Sequence, residues 1–396
     1  MGTLLGNCFI NKDKSSKEQD SEVNNEKNTS IERENEKEDD IIFNPLNFSL
    51  NKIFSYEHNE TIIDLKILKN GKIAILGRSY LNIYYLNIYK YNNEKIELQL
   101  SIERENNIVS FYQLSNEDIV ICYNSHYMEI IKLIDEDKYK TIQKTKIKEA
   151  EICETSYRVV EIKKDAFILI IRNYRWESMK IWKLCDGINY QCITIFRGPL
   201  IYNALKPNEK EFTVLEYQTT RFKYKYEPIL KFYNSKNYSP ITKIKIKSRI
   251  STHFKPTLED PHCELSNENM CLINEDLLGV GISCILIYLI KISSHELIKT
   301  IEFEDTNFYF GQINSILKHT NDLFILCDRI REIGLNKIDF NAIIVFKYDK
   351  ENIEKVFIKK ILISKNDDFF LYCRKLNDEI IVIYGEYNIV FLKLNT

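Results

Sequence analysis

The chain has 396 residues, with 55 Lys or Arg against 57 Asp or Glu and a net charge of −2. That balance gives no bulk electrostatic reason to expect a nucleic acid or an acidic membrane surface as partner. Only 11 Gly and 7 Pro stand beside 25 Tyr and 21 Phe. Average usage of about 7% and 5% implies roughly 28 Gly and 20 Pro, so a fold organised on phosphate-cradling Gly turns is disfavoured.

The chain opens Met1-Gly2-Thr3-Leu4-Leu5-Gly6-Asn7-Cys8. Gly2 after Met1 is the acceptor N-myristoylation needs, although Gly6 stands where the motif prefers Ser or Thr. One acyl chain holds a membrane only marginally. Residues 11–40 cannot supply a second electrostatic anchor: 6 Lys or Arg against 11 Asp or Glu give −5. Cys8 is therefore the expected second, S-acylated anchor; the alternative is an unmodified start. Residues 11–40 hold almost no large apolar side chains beyond Val23 and Ile31, and they read as a disordered acidic spacer. The expected division is a tail over 1–40 and a folded domain over 41–396. No stretch has the layout of a secretory signal. The longest apolar run, 277–290, is too short for a membrane helix, which needs about 20 residues, and its glycines suit two strands and a turn. The ten Cys show no metal spacing and read as reduced thiols of a cytosolic protein.

From residue 41 on, a polar turn followed by an apolar run recurs seven times, as in LKNGKIAIL from Leu68, LSNEDIVIC from Leu114 and LNDEIIVIY from Leu376. Asn and Asp suit such turns because they cap their own backbone and tolerate left-handed φ. The first apolar residues after the turns are Ile73, Ile119, Phe167, Phe212, Leu277, Leu323 and Ile380. Most of their spacings fall in the 40–50 residues of one propeller blade. Two gaps are longer and predict insertions, over 248–267 and around 329–341. A second signature follows each turn: two apolar residues, Lys, then an apolar residue. Its lysines are Lys90, Lys132, Lys183, Lys231, Lys291, Lys347 and Lys393. These runs read as the third strand of each repeat, and a fourth strand follows most of them. The seventh repeat lacks a fourth strand, whereas a spare strand over 48–56 precedes the first. The expected fold is all-β: a seven-bladed β-propeller closed by that N-terminal strand, which removes exposed strand edges.

Met179-Lys180-Ile181-Trp182-Lys183-Leu184-Cys185-Asp186-Gly187 resembles the third strand of a WD40 repeat, with Trp182 at the Trp position and Lys183 where that family usually has Asp. The other repeats are read with Tyr89, Ile131, Leu230, Ile290, Phe346 and Leu392 at the Trp position, and no Gly-His pair is evident. The resemblance, to a degenerate WD40-like propeller, covers about residues 46–396. It implies a non-enzymatic scaffold for protein or peptide ligands.

Catalytic motifs are sparse. There is no P-loop; Gly279-Val280-Gly281 lacks the third Gly of a dinucleotide fingerprint, and Lys299 stands where His295-Glu296 would need its second zinc-ligating His. No metal, cofactor or catalytic residue is expected. Basic and aromatic residues stand together twice, at Arg172, Arg175 and Trp176 and at Arg221, Lys223 and Tyr224. Such groups suit phosphate or an acidic peptide, so they are the candidate partner-binding loops. The leading expectation is a protein-interaction scaffold held at the cytosolic face of a membrane through Gly2 and Cys8. The alternatives are a soluble substrate-recruiting or complex-assembly subunit, and an enzyme with its site in the central channel.

Overall fold

The computed structural model describes residues 40–42, 49–58, 60–92, 95–104, 107–135, 137–147, 156–172, 177–198, 200–219, 226–246, 270–283, 286–302, 308–318, 323–332, 339–349, 352–361 and 372–395. All regular structure in them is β. Two strands precede the repeats, β1 (Asp40–Ile42) and β2 (Ser49–Glu57). Blade 1 is β3 (Thr61–Ile67), β4 (Ile73–Arg78), β5 (Tyr84–Asn92) and β6 (Lys95–Arg104). Blade 2 is β7 (Ile108–Gln113), β8 (Ile119–Tyr123), β9 (Tyr127–Leu133) and β10 (Tyr139–Lys146). Blade 3 is β11 (Ser156–Lys163), β12 (Ala166–Arg172), β13 (Glu177–Leu184) and β14 (Tyr190–Gly198). Blade 4 is β15 (Leu200–Leu205), β16 (Glu211–Thr219), β17 (Tyr226–Asn234) and β18 (Pro240–Lys245). Blade 5 is β19 (Met270–Asn274), β20 (Leu277–Ser283), β21 (Leu286–Lys291) and β22 (Glu296–Glu302). Blade 6 is β23 (Phe308–Lys318), β24 (Leu323–Glu332), β25 (Asp339–Asp349) and β26 (Asn352–Ile361). Blade 7 takes β27 (Tyr372–Lys375), β28 (Ile380–Tyr384) and β29 (Asn388–Asn395) from the end of the chain.

The fourth strand of blade 7 is β2, paired antiparallel to β29 from Ser49 opposite Asn395 to Glu57 opposite Asn388. The N-terminal strand closes the ring, as the two loose ends of the sequence predict. The second strand of every blade starts at or one residue before its first apolar residue. Their described side chains are almost all buried, because a neighbouring blade covers each face. Seven apolar clusters result, one between each pair of adjacent blades. The run 277–290 is indeed two strands, β20 and β21.

One irregularity recurs in all seven blades. Where the fourth strand pairs with the third, one residue is skipped: Gln99, Ile142, Ile193, Ile241, Ile298, Val356 and, in β2, Ile53. Such β-bulges raise twist and turn an edge away from further pairing.

The bulge marks an equivalent point in each blade and corrects the fourth repeat. The residue at the Trp position pairs just to one side of the bulge, as Trp182 does with Cys192. In blade 4 that residue is Tyr233, not Leu230. Tyr233 stacks on Phe212 with centroids 5.1 Å apart, as Trp182 stacks on Phe167 at 6.4 Å and Phe346 on Phe324 at 5.0 Å. The blade-4 counterpart of the signature lysines is therefore Asn234. Lys231 lies opposite Val214 instead, its ammonium 2.6 Å from the buried Glu216 carboxylate.

Two further features depart from the expectations. The gap around 329–341 is largely a lengthened hairpin, since β24 and β25 stay paired out to Arg331 opposite Asp339. And β1 adds a fifth strand to blade 6, pairing Asp40, Ile41 and Ile42 with Lys359, Ile358 and Phe357. The insertion over 248–267, with His253, His262 and Cys263, lies outside the described residues.

Candidate protein-interaction surface

The ring has two kinds of face. Turns joining strands 1 to 2 and 3 to 4 make up one. Connections joining strands 2 to 3, and one blade to the next, make up the other. The first is latched blade to blade. Lys69 N donates to Gln113 Oε1 of blade 2 at 2.8 Å, and Ser115 N donates to Glu161 Oε1 of blade 3 at 2.8 Å. Residues near the start of fourth strands also reach back to the preceding blade. Asn116 Nδ2 donates to the Tyr190 hydroxyl at 2.9 Å. The Lys163 ammonium lies 5.4 Å from the centre of the Tyr238 ring. His295 Nε2 meets Glu211 Oε2 at 2.8 Å. Burial pushes up both Asp118 and Tyr190, the latter to about 12, so Tyr190 keeps its proton.

Titratable groups also collect in the seams between blades. Arg104 of blade 1 donates to Tyr123 at 3.2 Å, to Tyr139 at 2.9 Å and to Glu129 Oε1 at 3.1 Å. Tyr123 and Thr141 donate to the same carboxylate. Burial alone would raise the Glu129 carboxyl, but these hydrogen bonds outweigh it and hold it below its ordinary value. At the closing seam, buried Arg374 of blade 7 lies 3.6 Å from Asp64 of blade 1 and donates to Leu65 O and to the Tyr384 hydroxyl. His58, buried just before blade 1, meets the Tyr89 hydroxyl at 3.4 Å. Tyr89 stands at the Trp position, so His58 ties the connection between β2 and β3 to the third strand of blade 1. Trp182 itself is buried, and its Nε1 has no hydrogen-bond partner among the described residues. These groups hold blades to one another. Among the described residues no three His, Cys, Asp or Glu are placed to hold a metal ion. No helix in them is long and apolar enough to cross a membrane.

The second face offers side chains to solvent. Between β4 and β5, Ser79 N donates to Ile83 O at 2.9 Å and Asn82 N to Ser79 O at 3.0 Å. Ser79 Oγ accepts from Leu81 N and Ile83 N, and Asn82 has φ +57°. This fixed hairpin tip presents Tyr80 at 90% exposure and Leu81 at 81%. Two large apolar residues, Tyr-Leu, in a polar turn between two strands were the sequence signal for it. Of the sequence candidates, Arg172 ends β12, its backbone opposite Glu177 and Ser156. Its side chain, together with Arg175, Trp176, Arg221, Lys223 and Tyr224, lies outside the described residues, as do Gly2 and Cys8. The connections 173–176 and 220–225 both join strand 2 to strand 3, in adjacent blades, as the Tyr80 hairpin does in blade 1.

No family model and no curated protein matches the sequence. Solved structures match the fold. A chain of a crystal structure of the mitotic checkpoint complex aligns over 98% of this chain and 100% of its own, at 9% identity and a TM-score of 0.55. The crystal structure of Sqt1 from Saccharomyces cerevisiae aligns over 87% of this chain and 99% of its own, at 11% identity and a TM-score of 0.50. The fold is a WD40-like, seven-bladed β-propeller. At these identities the likeness concerns the fold alone.

Proposed function

We propose that this chain is a non-enzymatic interaction scaffold that docks protein or peptide partners on the face carrying its strand 2–3 connections. The observation that carries this reading is the Tyr80–Leu81 tip. An aromatic and an aliphatic side chain stand almost fully in water on a backbone fixed by four hydrogen bonds. Rigid apolar anchors of this kind dominate binding energy when a partner buries them. The titratable clusters of the described residues are engaged between blades, which favours a scaffold over a catalyst. One of the similar folds occurs in a complex, the mitotic checkpoint complex. The basic-aromatic connections at Arg172, Arg175 and Trp176 and at Arg221, Lys223 and Tyr224 extend the proposed surface to acidic or phosphorylated partner segments. A cytosolic location goes with this reading.

The test is affinity capture with the full chain and with a Tyr80→Ser/Leu81→Ser variant. Captured partners should be lost from the variant while its unfolding midpoint stays put, because exposed substitutions usually change stability by no more than about 0.5 kcal/mol. Unchanged capture would move the site elsewhere, and turnover of a small molecule by the full chain would replace the scaffold with an enzyme. The sequence at Gly2 and Cys8 motivates one addition, a lipid tether to the cytosolic face of a membrane. Intact mass of the cell-derived protein should then show an acyl group on Gly2. A free amino terminus with cytosolic fractionation would leave the soluble complex-assembly reading.

A further inference from the structure

Outer strands are where a propeller risks unwanted pairing, and blade 6 shows that this edge can accept a strand. There β1 pairs with Phe357, Ile358 and Lys359, the three residues after the Val356 bulge, with Ile41 opposite Ile358. The recurring bulge identifies the same position in every blade. The residues equivalent to Ile358 are Ser101, Lys144, Ile195, Lys243, Thr300 and Ser55. Only blades 3 and 6 carry an aliphatic residue there. Blade 6 is covered, whereas Ile195 of blade 3 is 43% exposed, and so is its neighbour on the bulge, Ile193, at 42%. Among the described residues β14 pairs with β13 alone.

The absence of lysine separates β14 from the other outer strands. From Tyr190 to Gly198 it reads Tyr-Gln-Cys-Ile-Thr-Ile-Phe-Arg-Gly, with no lysine and no proline, and its one charged residue, Arg197, stands next to its end. Each other outer strand carries Lys within its span, the usual way an edge is kept from pairing. A two-fold axis through Lys144 or Lys243 would set lysine against lysine across a strand pair, which is destabilising. Through Ile195 it sets Ile195 against its own copy, Thr194 against Phe196 and Ile193 against Arg197, so no like charges are directly opposed. The edge needs an extended strand with a β-branched, uncharged centre and a free edge, and β14, with Ile193-Thr194-Ile195, is itself such a strand. We infer that β14 is a homodimerisation edge, pairing antiparallel with β14 of a second copy about a two-fold axis at Ile195. Such an interface is isologous and closes at two copies. It does not depend on the scaffold reading, because it uses a different element of the ring from the Tyr80 face.

Sedimentation of the full chain from about 1 to about 100 µM, the range for a small edge contact, should show the sedimenting mass doubling. Ile195→Lys should remain monomeric throughout. Ile241→Lys, at the equally exposed bulge of blade 4, should still dimerise. Ile195→Cys should form an intermolecular disulfide under mild oxidation beyond any formed by the unsubstituted chain. Directly opposed strand residues lie about 4.5–5.5 Å apart, within disulfide reach. Ile241→Cys should not do so. A chain that stays monomeric at the highest concentration overturns the inference and leaves the edge for a strand of another protein. A dimer that survives Ile195→Lys, or that Ile195→Cys fails to crosslink, overturns it as well.

Discussion

Arg374 is the most consequential side chain of the closing seam. It is 7% exposed on β27, and its Nε donates to Leu65 O across the seam at 3.0 Å. Its two Nη groups donate to Cys373 O at 3.0 Å and to the Tyr384 hydroxyl at 3.2 Å, and the guanidinium lies 3.6 Å from Asp64. Arg374→Met keeps much of the apolar stem and deletes the charge. Removing one partner of a buried pair costs about 3–5 kcal/mol. Asp64 would not be left alone: Lys66 is 3.2 Å away, and the Tyr384 hydroxyl donates to it at 3.2 Å. We therefore expect the lower end, ~3 kcal/mol. Unfolding entropy of about 2.1 cal/mol/K per residue over roughly 350 residues gives ~0.7 kcal/mol/K, so the midpoint should fall by about 4 °C. Thermal and urea unfolding followed by circular dichroism would read this. Adding Asp64→Asn to Arg374→Met should cost less than the sum of the two single changes, with a coupling of about 1–3 kcal/mol. If Arg374→Met moves stability by less than ~0.5 kcal/mol, or the two changes add, the pair does not hold the seam.

Stability should fall in acid because of Glu129. Its carboxyl is held below the ordinary 4.5, so its contribution is complete above about pH 4.5 and is lost as pH falls through the lower folded value. Glu129→Gln should flatten that acid limb in urea titrations; an unchanged limb would assign it to other carboxylates. His126, whose Nδ1 meets the Tyr157 hydroxyl at 2.9 Å, is lowered from 6.5 by burial and then by Lys146. Its stabilisation is present above pH 6.5 and lost on going below it, so His126→Gln should remove a shallow loss of stability that precedes the acid limb. Trp182→Phe should change stability by no more than about 1 kcal/mol. It removes a buried N–H with no partner among the described residues, itself a cost of about 1–3 kcal/mol, against the apolar contact it gives up. A larger loss, measured by urea unfolding, would mean that the indole N–H is satisfied in solution.

The ring was legible in the sequence because its strands announce themselves locally. Each polar turn followed by Ile, Val, Leu or Phe marks a strand buried on both faces, and the spare strand before Ile73 paired where the missing one was needed. Blade 4 misled for a physical reason. Ile229-Leu230-Lys231-Phe232 imitates the third-strand signature, but register is set by the bulge at Ile241 and by the Phe212–Tyr233 stack, and neither shows in one strand's sequence. The three residues of β1 carry too little pattern to stand out. The seams were illegible because their partners are distant in the chain: Tyr384 and Asp64 are 320 residues apart. The Tyr80–Leu81 tip is marked in the sequence only by two apolar residues within a polar turn, a weaker pattern than a cluster of basic and aromatic residues.

The seven bulges connect fold to exposure. A ring of radial sheets hides its inner strands but leaves every fourth strand with one unpaired edge, and closure by β2 completes the ring without covering those edges. The chain answers in three ways. A bulge twists each outer strand at the same point. Lysine stands along most of the edges, two residues past the bulge in blades 2 and 4. In blade 6, where that position is Ile358, β1 lies over it. Blade 3 has the bulge but neither the lysine nor the covering strand. An aliphatic centre is tolerated in blade 6 because another strand faces it, and by the same physics Ile195 calls for a strand opposite. A chain able to place Lys144 and Lys243 at the equivalent points of blades 2 and 4 has an evident means of blunting this edge too, and Ile195→Lys is the substitution that would apply it.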